Sequence, residues 1–338
     1  MIRGIAAAAT DPVARGAAEG VLASGGSAAD AIIAAFFATA GADASVLLGP
    51  SVTLVLGGGA GARAFDGRSL QPGLGAPRPR GLLPSDGVPA AARAAVPRSL
   101  SMLALLHLQR GRARLRDLVR AGVEAAEAAE CLERARILRS AGELGAIALR
   151  SAGVVDALVA NAGPVAGGAL TSTDLLEAMP GDHAASTTED GDVSVALAPW
   201  DAPTAWRRVE LVVAVDAWGL AAGLVYAPAD GGVPVPELQL VLDAAGAPVL
   251  RGTPRARPGA VVAMPIPLGL ARVGGPKPLR VALGVRGPRG LEPADVVAVA
   301  SSLTLDVALP ELMKRVGANA AVAVVGDART ARAFAVPA

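Results

Sequence analysis

Two regimes of apolar spacing divide the chain. In the first half apolar residues recur at intervals of three and four, the spacing of one helix face. Beyond residue 181 they fall in short valine-, leucine- and alanine-rich runs separated by Gly, Pro and Asp, as strands and turns do. Thr10 or Asp11 caps a predicted helix that starts on Pro12, where a missing N–H costs nothing, and Gly25-Gly26 closes it. Ser27 opens a second helix, with Asp30 three residues on as a short capping box and Ile32, Ile33, Phe36, Phe37 and Ala40 as its apolar face. Ser51 to Leu56 and Ala62 to Phe65 predict strands joined by a glycine turn at Gly57 to Gly61. Helices are expected from Arg98 to Gln109, from Leu115 to Leu138 with an end near Ser140, and after a Thr171 cap paired with Asp174. Strands are expected at Val193 to Leu197, Val209 to Asp216, Leu220 to Tyr226, Leu238 to Leu242, Val261 to Met264 and Leu279 to Val285. Helices at Glu292 to Leu303 and Leu309 to Val316 and a hairpin of Ala320 to Val325 with Ala331 to Val336 complete an α+β reading. The Pro- and Gly-rich stretches Gln71 to Pro89 and Pro254 to Gly259 read as loops.

Composition narrows the function classes. The chain has 338 residues, enough for one large intertwined domain or two small ones, and is 52% apolar with only 2% aromatics, so close packing must come from small and branched side chains. Its 31 basic and 30 acidic residues are interspersed, which argues against nucleic acid or an anionic membrane surface as a partner. Cys131 is the only cysteine and is expected inside a helix; with His107 and His183 as the only histidines, a conventional zinc site and any other cofactor are not expected. The apolar run after Met1 ends by Thr10-Asp11-Pro12, too soon for a secretory segment, so the expected location is the cytoplasm. His107 reads as a packed or half-exposed helix residue and His183 as a surface-loop residue, while Trp200, Trp206 and Trp218 suit either a core or an interface. The glycines at 57 to 61 do not make a nucleotide loop, because a strand rather than a helix follows them.

Several motifs, in order, resemble those of the gamma-glutamyltranspeptidase family. They are Gly25-Gly26-Ser27-Ala28-Ala29-Asp30-Ala31, the glycine hairpin, Asp66-Gly67-Arg68 with Pro72 and Ala76-Pro77, Ala95-Val96-Pro97, and Gly167-Gly168-Ala169-Leu170-Thr171 with Asp174-Leu175. Beyond the expected subunit junction, Val213 to Asp216 with Gly219-Leu220-Ala221, Arg257-Pro258 to Leu268, and Gly284 to Gly290 continue the likeness in a chain shorter than typical members. The resemblance implies an N-terminal-nucleophile hydrolase-like, four-layer αββα sandwich. Residues 1–208 would correspond to the large subunit and 209–338 to the small one, together forming one intertwined domain.

Members of that family cut their own chain before a threonine whose freed amine activates its hydroxyl. Counting back from Asp216, the resemblance puts that position at Val209, followed by Glu210 and Leu211; a second register, through the hairpin of His183 to Val195, puts it at Gly181. Neither residue has a nucleophile, and Thr187 and Thr188 are the rescue candidates for a displaced one. The family's oxyanion-stabilising serine pair falls near Ala263-Met264, and its glycine turn becomes Val285-Arg286-Gly287-Pro288-Arg289-Gly290. Arg68 matches the arginine that grips the substrate carboxylate, leaving carboxylate binding and a structural ion pair both open. The implied reading is a non-catalytic binding or structural subunit, with protein partners or a second copy of itself and an amino-acid or gamma-glutamyl compound as the ligand class. The alternative is an active gamma-glutamyl hydrolase or transferase.

Overall fold

A computed structural model describes residues 4–57, 61–76, 81–83, 87–200, 207–229, 231–275, 278–302, 304–327 and 329–336. Ten helices are present among them: α1 (Pro12–Ala23), α2 (Ala28–Ala42), α3 (Ser99–Arg110), α4 (Leu115–Leu118), α5 (Arg120–Ala128), α6 (Leu132–Leu144), α7 (Ala152–Ala162), α8 (Ser172–Glu177), α9 (Pro293–Ala300) and α10 (Leu305–Val316). The strands are β1 (Ala6–Ala9), β2 (Ser51–Leu56), β3 (Ala62–Gly67), β4 (Gly181–Ala184), β5 (Ser186–Asp190), β6 (Val193–Leu197), β7 (Glu210–Val215), β8 (Ala221–Tyr226), β9 (Val233–Val235), β10 (Leu240–Leu242), β11 (Leu268–Val273), β12 (Leu279–Arg286), β13 (Ala320–Gly326) and β14 (Ala331–Val336).

The long strands build two six-stranded antiparallel sheets, ordered β1-β7-β8-β2-β3-β4 and β14-β13-β12-β11-β6-β5. Their central strands are apolar at nearly every position because both faces are buried, and successive residues feed different cores. On β7, Leu211, Val213 and Val215 point between the sheets, where they meet Leu268, Leu270, Val322 and Val324. Val212 and Ala214 point the other way, into the core under α1, α2 and α3. A third core lies outside the second sheet, where Val281, Leu283 and Ala323 meet Val296, Val299, Leu309 and Leu312 of α9 and α10. Three cores between four layers make the αββα sandwich.

Helix α2 lies at the centre of the outer helical layer. It is apolar all round, as a helix enclosed on every side must be, and every residue from Ala28 to Gly41 is buried. Ser27 and Asp30 form the full capping box at its start. Asp30 also accepts from the backbone N–H groups of Arg112 and Ala113, and Asp216 accepts from that of Ala28. The Gly-Gly-Ser-Ala-Ala-Asp-Ala motif is therefore a structural knot between helix, loop and sheet. Phe36, Phe37 and Tyr226 pack edge to face where α2 crosses the first sheet, and the buried Tyr226 hydroxyl donates to Thr39 Oγ1.

Four local expectations change. The helix expected at 115 to 138 is three helices, with Glu130 in the left-handed region (φ 56°) at the second break; apolar spacing runs on through such a bend and does not reveal it. Cys131 precedes α6 at its cap, half-buried, rather than lying inside a helix. Residues 261 to 264 form no named strand, making only a bridge from Val261 to Leu70, and the run at 238 to 242 splits into a 3-10 turn (Pro236–Leu238) and β10. Helix α7 and strands β1, β4, β9 and β11 are additional, β1 and β4 being runs of small or polar residues made into strands by their neighbours.

Candidate functional site

The Asp66-Gly67-Arg68 motif sits where β3 ends, beside the first residue of β4: Asp66 pairs with Gly181, Phe65 with Asp182 and Ala64 with His183. After β4 the chain changes sheets, and β5 pairs with β6 in the second one. This edge gathers the charged side chains of Arg63 and Asp66 on β3, Arg68 just after it, Arg98 at the start of α3 and Asp182 on β4 around the Gly181 position of the second register.

Arg68 is 8% exposed and its guanidinium is committed to Asp66, with Nε donating to Oδ1 at 2.9 Å and Nη2 to Oδ2 at 3.1 Å. The backbone N–H of Arg68 donates to the same carboxylate at 2.9 Å. Arg98 closes the cluster: its Nη2 lies 3.1 Å from Asp66 Oδ2, its Nε donates to the Arg68 carbonyl at 2.6 Å and its Nη1 to the Met179 carbonyl at 2.8 Å. Burial works to raise the Asp66 carboxyl, but the Arg68 hydrogen bonds and the charges of Arg98 and Arg68 outweigh it, holding the group below the usual carboxylate value. Burial lowers the Arg98 guanidinium, with Asp66 opposing. The ring of Trp200 covers one face of the Arg68 guanidinium at 4.3 Å, and His183 stands edge-on to that ring at 5.3 Å. Next along the β3–β4 pair, Arg63 grips Asp182 Oδ1 through Nε at 2.9 Å and Nη2 at 2.6 Å, while Gln109 donates to Asp182 Oδ2.

The candidates of the sequence fall in different places. Glu210, the residue after Val209, lies in the same cross-sheet row as Gly67 through the pairs Glu210–Tyr226, Tyr226–Ser51 and Ser51–Gly67. That is three strand spacings from Gly67, about 14 Å. Val209 itself is 2% exposed in the core between the sheets. Gly181 is immediately beside Asp66, and a Cβ built on it would lie 3.0 Å from the Asp66 Cβ and 2.5 Å from His183 Nε2. The structure thus brings Arg68 together with Gly181 and does not bring it together with Val209. Thr187 and Thr188 are exposed in the middle of edge strand β5, opposite Ala196 and Val195.

The segment matched to the serine pair does come to the site. Val262 N–H donates to the Ser69 carbonyl at 2.8 Å and Gln71 N–H to the Ala260 carbonyl at 2.8 Å, so residues 260 to 262 run beside the chain that follows Arg68. Met264 turns into the inter-sheet core, whereas Ala263 is exposed. At the segment matched to the family's glycine turn, Arg286 pairs with Glu210 and Arg289 with Asp295 and Glu292.

Other expectations are revised here. His183 lies in β4, not in a loop, and Trp200 is half-buried against Arg68 rather than a plain core residue. Trp218 is 49% exposed and stacks on Arg112 at 4.0 Å; Trp206 is outside the described residues. His107 is half-buried, with Nε2 2.8 Å from the Ala113 carbonyl. Sequence reading missed Arg98, Asp182 and Trp200 as partners of the motif. Arg98 had a signal, directly after Ala95-Val96-Pro97; Asp182 and Trp200 had none, because strand pairing alone brings them near. Among the described residues no group of three or more His, Cys, Asp or Glu could hold a metal, and no helix is long and apolar enough to cross a membrane.

No protein-family model matches the chain, and a search of curated proteins finds no match either. Solved structures do match. That of LmbA2991HD superposes with a TM-score of 0.69 at 15% identity, over 100% of this chain and 98% of that one. The cephalosporin acylase from Bacillus halodurans superposes with a TM-score of 0.71 at 13% identity, over 98% of this chain and 95% of that one. The gamma-glutamyltranspeptidase from Pseudomonas nitroreducens gives a TM-score of 0.49 at 19% identity over 57% of this chain and 70% of that one. The first two likenesses span nearly the whole of each chain, and the fold is that of the N-terminal-nucleophile hydrolases.

Proposed function

We propose that this chain is a gamma-glutamyltranspeptidase-like protein without amide-cleaving activity, serving in the cytoplasm as a binding or structural subunit. The observation that carries the reading is the pairing of Gly181 with Asp66, at the foot of the motif that ends in Arg68. Of the two registers suggested by sequence, the one through Gly181 meets the arginine, and it has no side chain there at all. Nucleophilic acyl transfer needs a hydroxyl or thiol with a base in reach; Gly181 provides neither, and Val209 is a buried aliphatic residue. Thr187 and Thr188 are exposed residues in the middle of a paired strand.

The carboxylate-binding chemistry of Arg68 is already used within the chain. Its fork is met by Asp66 and one of its faces by Trp200. An amino-acid or gamma-glutamyl ligand would have to displace one of them, which favours the role of a structural ion pair. Protein partners, or a second copy of the chain, remain the expected associates.

Two measurements on the purified chain test this together: intact mass, and release of aniline from a gamma-glutamyl anilide. The expected result is one mass for the whole chain and no turnover above buffer. Two masses summing to the chain plus water would establish self-cleavage, and the new N-terminal residue would name a displaced nucleophile.

A further inference from the structure

At the end of the sandwich away from Arg68, the strands carry a second cluster of charge. Strand β3 runs from Ala62 to Gly67, so its two ends are about 17 Å apart. Beside the first end is a cavity of about 470 Å³ lined by Leu56, Gly57, Gly61, Gly219, Arg272, Pro278 and Arg280. That is the volume of a small-molecule site.

Arg272 and Arg280 are direct cross-strand partners on β11 and β12. They continue the rows of Leu268 and Leu270 and of Ala282, which face the first sheet. Like charges directly opposite on a sheet repel. Neither arginine forms an ion pair with a described residue, although Arg286 at the other end of β12 is held by Glu210, and Arg289 beyond it by Asp295. The Nη1 atom of Arg280 is shielded from solvent and has no hydrogen-bond partner among the described residues, a costly state for a charged donor. Gly219 makes room for it: with φ at +100° it takes a conformation that suits glycine, and a Cβ there would lie 2.8 Å from Arg280 Nη1.

We propose that this cavity binds the phosphoryl group of a small molecule between Arg272 and Arg280. Two guanidinium forks on neighbouring strands can share one anion, and a tetrahedral phosphate brings three terminal oxygens and up to two negative charges to them where a carboxylate brings two oxygens and one charge. Its negative charge would cancel the cross-strand repulsion. The site is independent of Gly181 and Arg68 and stands whether or not the chain cleaves itself.

The test is calorimetric titration of the full chain with inorganic phosphate and, separately, with glycerol 3-phosphate, at constant ionic strength. Thermal unfolding in chloride and in phosphate accompanies it. One-to-one binding of at least one probe is expected, weakened tenfold or more in Arg272→Gln and in Arg280→Gln and unchanged in Arg289→Gln. Tighter binding of the organic ester would identify the rest of the cavity as part of the site, and tighter binding of free phosphate would identify the anion itself as the ligand. In chloride, Arg272→Gln should melt at or above the wild-type temperature because a repulsion is removed, and phosphate should raise the melting temperature of the wild type alone. No binding of either probe, or equal binding and equal thermal shifts in folded Arg272→Gln and wild type, would overturn the proposal.

Discussion

Asp66 shows how much of a motif's meaning depends on its partners. The sequence offered Asp66-Gly67-Arg68 as a ligand-gripping element, and the structure makes the aspartate its centre, holding Arg68, Arg98 and the Arg68 backbone at once. Replacing it with alanine leaves two guanidinium groups, both less than a tenth exposed, without their counter-charge. The expected loss is about 3 kcal/mol or more, read as a shift of the urea midpoint at pH 7. The sign of the pH dependence follows from the direction of its shift. A carboxyl held lower in the folded than in the unfolded chain adds stability above its unfolded value, and that stability is lost as pH falls through the folded one. Unfolding between pH 6 and pH 2 should therefore show a steeper acid decline in the wild type than in Asp66→Asn. Equal declines would mean that Asp66 is not coupled to the arginines in solution. Trp200→Ala should cost less, about 1 kcal/mol from the lost cation–π contact and packing, while uncovering one face of the Arg68 guanidinium.

Local signals made some elements legible, and crowding between elements hid others. The boxes at Ser27 and Thr171 could be read because a cap and its partner are three residues apart, and both are present as expected. The breaks in the 115 to 144 segment could not, since apolar spacing runs on through them, and neither could the crossing of α5 over α2. Gly122 of α5 crosses Gly41 of α2 so closely that a Cβ on Gly41 would lie 2.0 Å from the Gly122 carbonyl oxygen, and one on Gly122 would lie 2.1 Å from that of Phe37. Backbone against backbone cannot yield as a flexible side chain can. Gly41→Ala is expected to cost about 1 to 3 kcal/mol despite its gain in helix propensity, whereas Ala substituted at Gly16 on α1, where nothing lies within 4 Å, should stabilise by about 0.5 to 1 kcal/mol. A chemical-denaturation series on the two variants checks the pair, and stabilisation by both would mean that α2 and α5 do not touch as described. The same reasoning explains the missed strand Ala6–Ala9: four alanines have little strand preference of their own, and pairing with Val212 to Val215 supplies it.

Across the whole molecule, the order of the strands matters more than the division of the chain. Strands β7 and β8, which belong to residues 209–338, are inserted in the first sheet between β1 and β2, while β5 and β6 from the earlier part form one edge of the second. The α-then-β change in apolar spacing was visible in the sequence, and the layering followed from the family resemblance, but the interleaving depends on pairings some 200 residues apart that no local pattern encodes. Thr10 is one such link, donating to Glu210 at 2.6 Å and accepting from the Leu211 N–H at 3.0 Å. Removing residues 1–208 would strip both neighbours from the β7–β8 hairpin and expose one face of the second sheet. A two-stranded hairpin with no sheet neighbour is held only weakly by the sheet it packs on, and its open edges invite aggregation. Residues 209–338 expressed alone should therefore show no cooperative thermal transition and should bind a dye for exposed apolar surface, whereas the full chain should unfold in one step followed alike by far-ultraviolet circular dichroism and tryptophan fluorescence. Mixing the two separately made fragments should restore the transition, because the cut lies outside every strand and each half carries the missing neighbours of the other. A fragment 209–338 that melts cooperatively on its own would instead make it a domain in its own right.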